Sequence, residues 1–264
     1  MATLNLAKVW RGMAPLALAA GMLSASRSIV ADDAVAATNS FLAYYQRLYA
    51  EALTGWKKDS NSAMVCWVLG RACYDRADFA TNNAERAALA EQGMAACRRS
   101  IELETNSAPA HYFLALNTGQ LARTKLFTAL YLVDYMEEAM QDSIAIDEKY
   151  DFGGGHRALG VLYRDAPGWP VSIGSRSKSR KHLGKAIELF PDFPGNQIHL
   201  METWLAWGDR RRVATQIPVV EKILKAARTN WTGEAWAASW AEWDRSWAEI
   251  KAKVQPVRNP PAGP

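Results

Sequence analysis

A leucine followed by a small residue recurs in a fixed frame, and this internal repeat restricts the possible folds more than any other feature of the chain. The frame is His156-x2-Leu159-Gly160-x2-Tyr163. It is shared by Cys66-x2-Leu69-Gly70-x2-Cys73, by His111-x2-Leu114-Ala115-x2-Thr118 and, more loosely, by Gln197-x2-Leu200-Met201-x2-Trp204. The leucines fall 45, 45 and 41 residues apart. The second halves agree too: Ile101-Glu102-Leu103-Glu104, Ile144-Ala145-Ile146-Asp147 and Ile187-Glu188-Leu189-Phe190-Pro191 each precede the next frame by a short loop. Each unit therefore reads as two helices and a turn. Gly70, Ala115 and Gly160 let the first helix approach its partner closely, and Ala186 does the same on a second helix.

Such units cannot bury their apolar faces alone and must stack. The pattern resembles tetratricopeptide repeats, lengthened between the helices. The expected fold is an all-α, tetratricopeptide-like α-solenoid of about four helix pairs with a capping helix at each end. Residues 34–53 supply the first cap, with Leu42, Tyr45, Leu48, Tyr49 and Ala52 on one face. Trp236, Trp240, Trp243, Trp247 and Ile250 form a seam for the second. Its far side carries Glu242, Asp244, Arg245 and Glu249, which fits a cap better than a lipid-contact helix with its usual Lys and Arg. With 264 residues, 49% hydrophobic and 22% charged, the chain has material for a sizeable core and is neither a disordered polymer nor a multi-span membrane protein.

Residues 1–31 have the form of a signal peptide: Lys8 and Arg11, an apolar run from Met13 to Leu23, then small residues, with cleavage after Ser26 or Ala31. The run is short for a spanning helix, although a retained N-terminal anchor stays open. No Cys adjoins either site, so no lipid anchor is expected. The repeat domain then occupies residues 32–250 and a Pro-rich, disordered tail residues 251–264. Removing the leader takes the formal charge from +4 to +1. A near-neutral chain gives no electrostatic reason to expect nucleic acid.

An exported chain with three Cys permits one disulfide. Cys66 and Cys73 on one helix are about 10 Å apart, too far to bridge, so Cys97 is the shared partner. A hairpin turning near residues 81–82 sets Cys66 level with Cys97, and that pair is the disulfide candidate. Three reduced, buried thiols are the alternative.

Beyond the repeat skeleton stand three loop signatures: Ala77-Asp78-Phe79-Ala80-Thr81-Asn82, Leu121-Ala122-Arg123-Thr124-Lys125 and Asp165-Ala166-Pro167-Gly168-Trp169-Pro170-Val171-Ser172-Ile173-Gly174. With the export signal, residues 60–215 resemble the T component of tripartite ATP-independent periplasmic (TRAP) transporters. That resemblance implies a periplasmic accessory of a transport system. It would bind a solute-binding protein, would hold a hydrophobic or lipid-like small molecule in an apolar channel, and would have no catalytic activity. Members of that family are often lipoproteins, and this chain lacks the lipid-modified Cys. The rival reading is a docking or assembly scaffold that uses its concave repeat surface, and homo-oligomerisation stays open.

No constellation for chemistry survives inspection. Ser175-x2-Lys178 has the spacing of a Ser-Lys pair without its companion motifs, and reads as the capped start of a helix. Gly153-Gly154-Gly155-His156-Arg157 would expose amides to an anion, but the repeat frame accounts for it as a turn. His111, His156, His182 and His199 have no metal-ligand spacing, so no metal and no cofactor are expected. The candidate ligand or partner site gathers Arg157, Tyr163, Arg164 and Trp169, beside the basic stretch Arg176, Lys178, Arg180 and Lys181. Tyr131 and Tyr135 join it from the broad apolar arc of residues 126–146, which either packs or lines a cavity.

Overall fold

The computed structural model describes residues 26–125 and 129–254, with side chains from Ser40 onward. Among these residues every regular element is a helix: α1 (Ser26–Lys58), α2 (Ala63–Ala77), α3 (Asn83–Leu103), α4 (Ala108–Ala122), α5 (Leu130–Ile146), α6 (Tyr150–Asp165), α7 (Arg176–Leu189), α8 (Pro194–Ala206), α9 (Arg210–Ala227) and α10 (Glu234–Val254). The all-α, helical-repeat expectation holds. The chain divides into two compact units, residues 1–189 and 190–264.

In the first unit α2 pairs with α3, α4 with α5 and α6 with α7, as the repeat frame requires. Contacts of α4 with α2 and α6 set the first helices side by side, and α1 covers α2. Leu69, Leu114 and Leu159 of the frame are 1%, 4% and 0% exposed, which places the ruler in the core. Each such side chain contributes about 2 kcal/mol by leaving water. The small residues beside them sit where helices meet. A Cβ on Gly70 would lie 2.2 Å from Cys97 Sγ, and one on Gly160 2.5 Å from Leu183 Cγ. Leu69 and Cys73 with Ala52 and Ala96 form a smaller core on which Tyr49, Leu53 and Trp56 of α1 pack.

Two serines, unremarked in the sequence, staple successive repeats in the same way. Ser100 Oγ donates to the carbonyl of Ala63, the first residue of α2, at 2.8 Å, and Ser143 Oγ to that of Ala108, the first residue of α4, at 3.0 Å. Each ties the last turn of a second helix to the start of its own first helix. In the third pair Ala186 holds this place, close against Gly153. The α2–α3 turn is closed by Asn82, which accepts from Glu85 N at 2.9 Å, while Glu85 accepts from Thr81 N at 2.7 Å and pairs with Arg76 at 2.6 Å.

Cys66, Cys73 and Cys97 are free, buried thiols, so the Cys66–Cys97 pairing is corrected. The hairpin does turn where expected, but the sulfurs have other places. Cys66 Sγ faces the carbonyl of Ser60 at 3.4 Å, whereas Cys97 Sγ fills the notch over Gly70, one turn further along α2. Burial pushes the Cys73 thiol up to about 12 and Cys97 above the usual thiol range, and both stay protonated.

In the second unit α10 packs on α8 and α9. Phe193 is ringed by Trp231, Trp236 and Trp243 at centroid distances of 5.6, 6.2 and 5.5 Å. Trp243, Trp247 and Ile250 are buried, while Asp244 pairs with Arg228 outside, so the tryptophan seam faces protein. The looser fourth frame is out of step: Ile198 and Met201 are buried at 2% and 1%, and Leu200 is only half-buried.

The first cap and the tail differ from expectation in their bounds. The first cap is the 33-residue α1, longer than residues 34–53. Residues 251–254 are not tail but the end of α10, and residues 255–264 lie outside the described residues. Of the leader, residues 1–25 also lie outside them, as do Leu126 and Phe127 of the apolar arc.

Candidate functional site

The side-by-side first helices carry an aromatic and ionic face. Trp67, Arg71, Tyr74 and Asp75 recur at helical spacing on α2, Tyr112 and Phe113 come from α4, and Tyr150, Asp151 and Arg157 from α6. Phe113 is its floor: buried, parallel to Trp67 at 6.3 Å, with Tyr74 at 6.3 Å, Tyr150 at 6.4 Å and the Arg71 guanidinium at 5.9 Å. Trp67, Tyr74 and Tyr150 are half-buried and Arg71 is exposed, so rings and charge are both open to a partner.

The polar centre is Asp151. Tyr112 donates its hydroxyl to Asp151 Oδ2 at 2.7 Å and Arg157 Nη2 donates to the same oxygen at 2.6 Å. Burial, with Asp151 beside it, raises the Tyr112 hydroxyl well above the phenol range and keeps it a donor. Burial works against the Arg157 charge, but Tyr112 and Asp151 outweigh it and hold its pKa above the ordinary guanidinium value. Asp151, Phe152 and Gly153 have φ of 51°, 58° and 72°, three successive left-handed residues at the start of α6. A side chain pays for that conformation, so the carboxylate's two strong bonds hold the turn together. Burial pushes Asp75 up to about 6, with Arg71 opposing and Asp151 reinforcing, and pushes Asp78 up to about 7 despite Arg123 and Gln120.

The expected site is dispersed. Arg157 lies on the first-helix face, where Asp151 and Tyr112 claim it. Tyr163, six residues on, points away from it, donates to Glu137, and has Lys178 over its ring at 4.8 Å and His182 against it at 5.5 Å. Arg164 makes a two-pronged pair with its neighbour Asp165 at 2.6 and 2.7 Å. Trp169 stands in solvent at 89% exposure and meets none of them. A helix turns about 100° per residue, so Arg157 and Tyr163 face different neighbours even though they are near in sequence.

Tyr131 and Tyr135 line a groove between α3 and α5. It holds cavities of about 430 and 360 Å³, one bounded by Glu91, Met94, Arg98, Leu121, Tyr131, Leu132 and Tyr135, the other by Arg98, Ile101, His111, Tyr135, Glu138 and Asp142 among others. Arg98, whose Nε donates to Tyr135 OH at 3.3 Å, stands between them. The walls mix charged side chains with apolar ones, Met94, Leu114 and Leu121 among them, while Leu132, Val133, Met136 and Met140 of the arc pack in the core.

Sequence reasoning missed one histidine pair. His156 Nδ1 and His182 Nδ1 lie 3.0 Å apart across α6 and α7, and burial lowers both, His182 to about 4. Their separation of 26 residues is that of a helix pair, which the repeat frame could have supplied. Ser175 caps α7, accepting from Lys178 N at 3.3 Å, and the Lys178 amine goes to Glu137 at 3.2 Å. Gly153, Gly154 and Gly155 are buried, which leaves no room for an anion above them. Among the described residues no three His, Cys, Asp or Glu side chains are placed to hold a metal, and no helix is long and apolar enough to cross a membrane.

Fold and face together define a helical-repeat protein with an open aromatic and charged surface on its first helices. Residues 34–146, from within α1 to the last residue of α5, match the family model "Regulator of microtubule dynamics protein 1-3". No curated protein is matched by the sequence. The family match overturns the resemblance to TRAP transporter T components, and with it the role of periplasmic transport accessory beside a solute-binding protein. The error has a physical source: stacked helix pairs impose the same leucine and small-residue frame whatever the repeat binds.

Proposed function

We propose that this chain is a non-catalytic docking protein that takes a polypeptide partner on the face formed by α2, α4 and α6, and that the process it serves is regulation of microtubule dynamics. The observation that carries the reading is the family match, because the matched stretch supplies Trp67, Arg71, Tyr74, Asp75, Tyr112 and Phe113 of that face. Half-buried rings around an exposed guanidinium support a protein partner, since aromatic and Arg anchors dominate binding energy at protein interfaces. Residues 1–31 serve as a targeting segment in this reading. Cleavage at either site would leave the part of α1 from Tyr49 to Trp56 in place on α2.

The test is purified tubulin polymerised with and without the purified chain, with growth and shortening followed on single filaments. The wild type is expected to change at least one rate, and Arg71→Glu, which also breaks the 3.5 Å pair with Asp75, to lose the effect while keeping wild-type helix content by circular dichroism. A wild type without effect overturns the process. An Arg71→Glu variant that acts like wild type overturns the face.

A further inference from the structure

The loop of residues 166–175, between α6 and α7, is closed on itself and presents an apolar tip. Gly174 N donates to Pro167 O at 2.8 Å, Ser175 N to Tyr163 O at 2.8 Å, and Val171 N and Ser172 N to Gly168 O at 3.1 and 3.3 Å. The limbs touch at Gly174, where a Cβ would lie 2.1 Å from Ala166 O. Ile173 turns inward onto the core cluster. Trp169 at 89% exposure, Pro170, and Val171 at 55% stay outside. The chain then enters α7, whose first six residues include the exposed Arg176, Lys178, Arg180 and Lys181; Lys178 pairs with Glu137 of α5 at 3.2 Å, and α7 itself carries no acidic residue before Glu188.

We propose that the Trp169–Val171 tip and the basic start of α7 form a docking site for an anionic membrane surface. Trp is the side chain best suited to the boundary between headgroups and acyl chains, and flanking Lys and Arg add attraction to anionic lipid. The shape favours a bilayer over a protein. A specific protein interface covers roughly 800 Å² on each partner, whereas a convex tip of three residues needs a surface that yields around it. Charge complementarity fixes the occupant as anionic. Attachment of this kind is peripheral, in keeping with the lack of a spanning helix among the described residues. The site lies outside the matched stretch of residues 34–146 and is independent of the first-helix face.

The experiment is vesicle flotation of the full chain with phosphatidylcholine alone and with phosphatidylcholine containing phosphatidylserine. It compares wild type with Trp169→Ser/Val171→Ser and with Arg180→Glu/Lys181→Glu. Wild type is expected to float with the anionic vesicles only, less so as salt rises, and both variants to bind at least about tenfold more weakly. Because the changed side chains are exposed, melting temperatures should match wild type. The tip variant should act as wild type on microtubules, which separates this proposal from the docking face. Wild type that ignores anionic vesicles overturns the proposal, and so does a tip variant that floats like wild type. Tip-dependent retention on polyglutamate without vesicle binding would overturn it in favour of an acidic protein.

Discussion

Replacing Gly70 by Ala tests why the repeat frame carries a small residue after its leucine. The new methyl would sit 2.2 Å from Cys97 Sγ and 3.3 Å from the carbonyl of Gly93, on a partner helix whose Cys97 is fully buried. Overpacking of this kind costs about 1–3 kcal/mol, and removal of a mid-helix glycine returns about 0.5–1 kcal/mol, for a net loss of about 1–2 kcal/mol. Cys97→Ala alone should cost about 1 kcal/mol through the space it leaves. Combined, the two should nearly cancel, because the methyl on α2 enters the space the sulfur vacates and the atoms then nearest it, Gly93 O at 3.3 Å and Cys97 Cβ at 3.7 Å, ask for a shift of only a few tenths of an ångström. The double variant is therefore expected within about 0.5 kcal/mol of wild type, a coupling of about 2 kcal/mol. Urea unfolding of the four proteins, followed by far-ultraviolet circular dichroism, reads this directly. Additive losses would refute the reasoning, since close approach of α2 to α3 could then not be what Gly70 provides. Ala115, wholly buried at the equivalent place on α4, shows that the fold accepts a methyl where the partner leaves room.

The three thiols should react with Ellman's reagent only after unfolding and should number three without reductant; a count of one would restore the disulfide. Ser100→Ala and Ser143→Ala should each lower stability by about 1 kcal/mol, and their effects should add because they staple different repeats; a loss well below that in unfolding measurements would make the bonds incidental. Asp75 and Asp78 have folded pKa values raised to about 6 and about 7, so the fold binds more protons than the unfolded chain in the window up to neutrality. Their contribution is full below pH about 4 and is lost as pH rises through 6 and 7. His182, lowered to about 4, acts oppositely, and its contribution is lost as pH falls from about 6.5. Urea midpoints should therefore fall between pH 6 and 8 in wild type and fall less in Asp78→Asn; equal slopes would refute the assignment.

How much of this was legible in the sequence depends on whether a feature is periodic. Leu69, Leu114 and Leu159 with their small neighbours announced the helix pairs because burial at a helix crossing demands those residues at that interval. The 43-residue interval of Ile101, Ile144 and Ile187 could likewise have revealed Ser100 and Ser143, which hold one place in successive repeats. It could not reveal the orientation of a sulfur: Cys66 and Cys97 were set at nearly the right height, but the closeness of α2 and α3 at Gly70 assigns Cys97 to the notch. Nor could it gather a site. Arg157, Tyr163, Arg164 and Trp169 are near in sequence, yet helix rotation and the closed loop send them to four environments. The first-helix face joins residues from Trp67 to Arg157, and only the stacking of α2, α4 and α6 brings them together.

That face depends on a backbone turn which the sequence marks only as three glycines. Asp151 and Phe152 adopt left-handed geometry at about 1 kcal/mol or more each, so something must offset the strain. The bonds from Tyr112 and Arg157 to one Asp151 oxygen do so, and they need Gly154: a Cβ there would lie 2.7 Å from Asp151 Oδ2 and 2.8 Å from Tyr112 OH. Gly154→Ala should expel the carboxylate, leave Tyr112 and Arg157 without it, and cost roughly 2–3 kcal/mol. Asp151→Gly removes the same carboxylate but also relaxes the left-handed strain, so it should cost less than Gly154→Ala. Both should weaken the action on microtubules, because Asp151 links the α4 and α6 parts of the face. If urea unfolding ranks Asp151→Gly as the more damaging, the carboxylate does more for the fold than offset strain in the turn, and room for that carboxylate is not why Gly154 is a glycine.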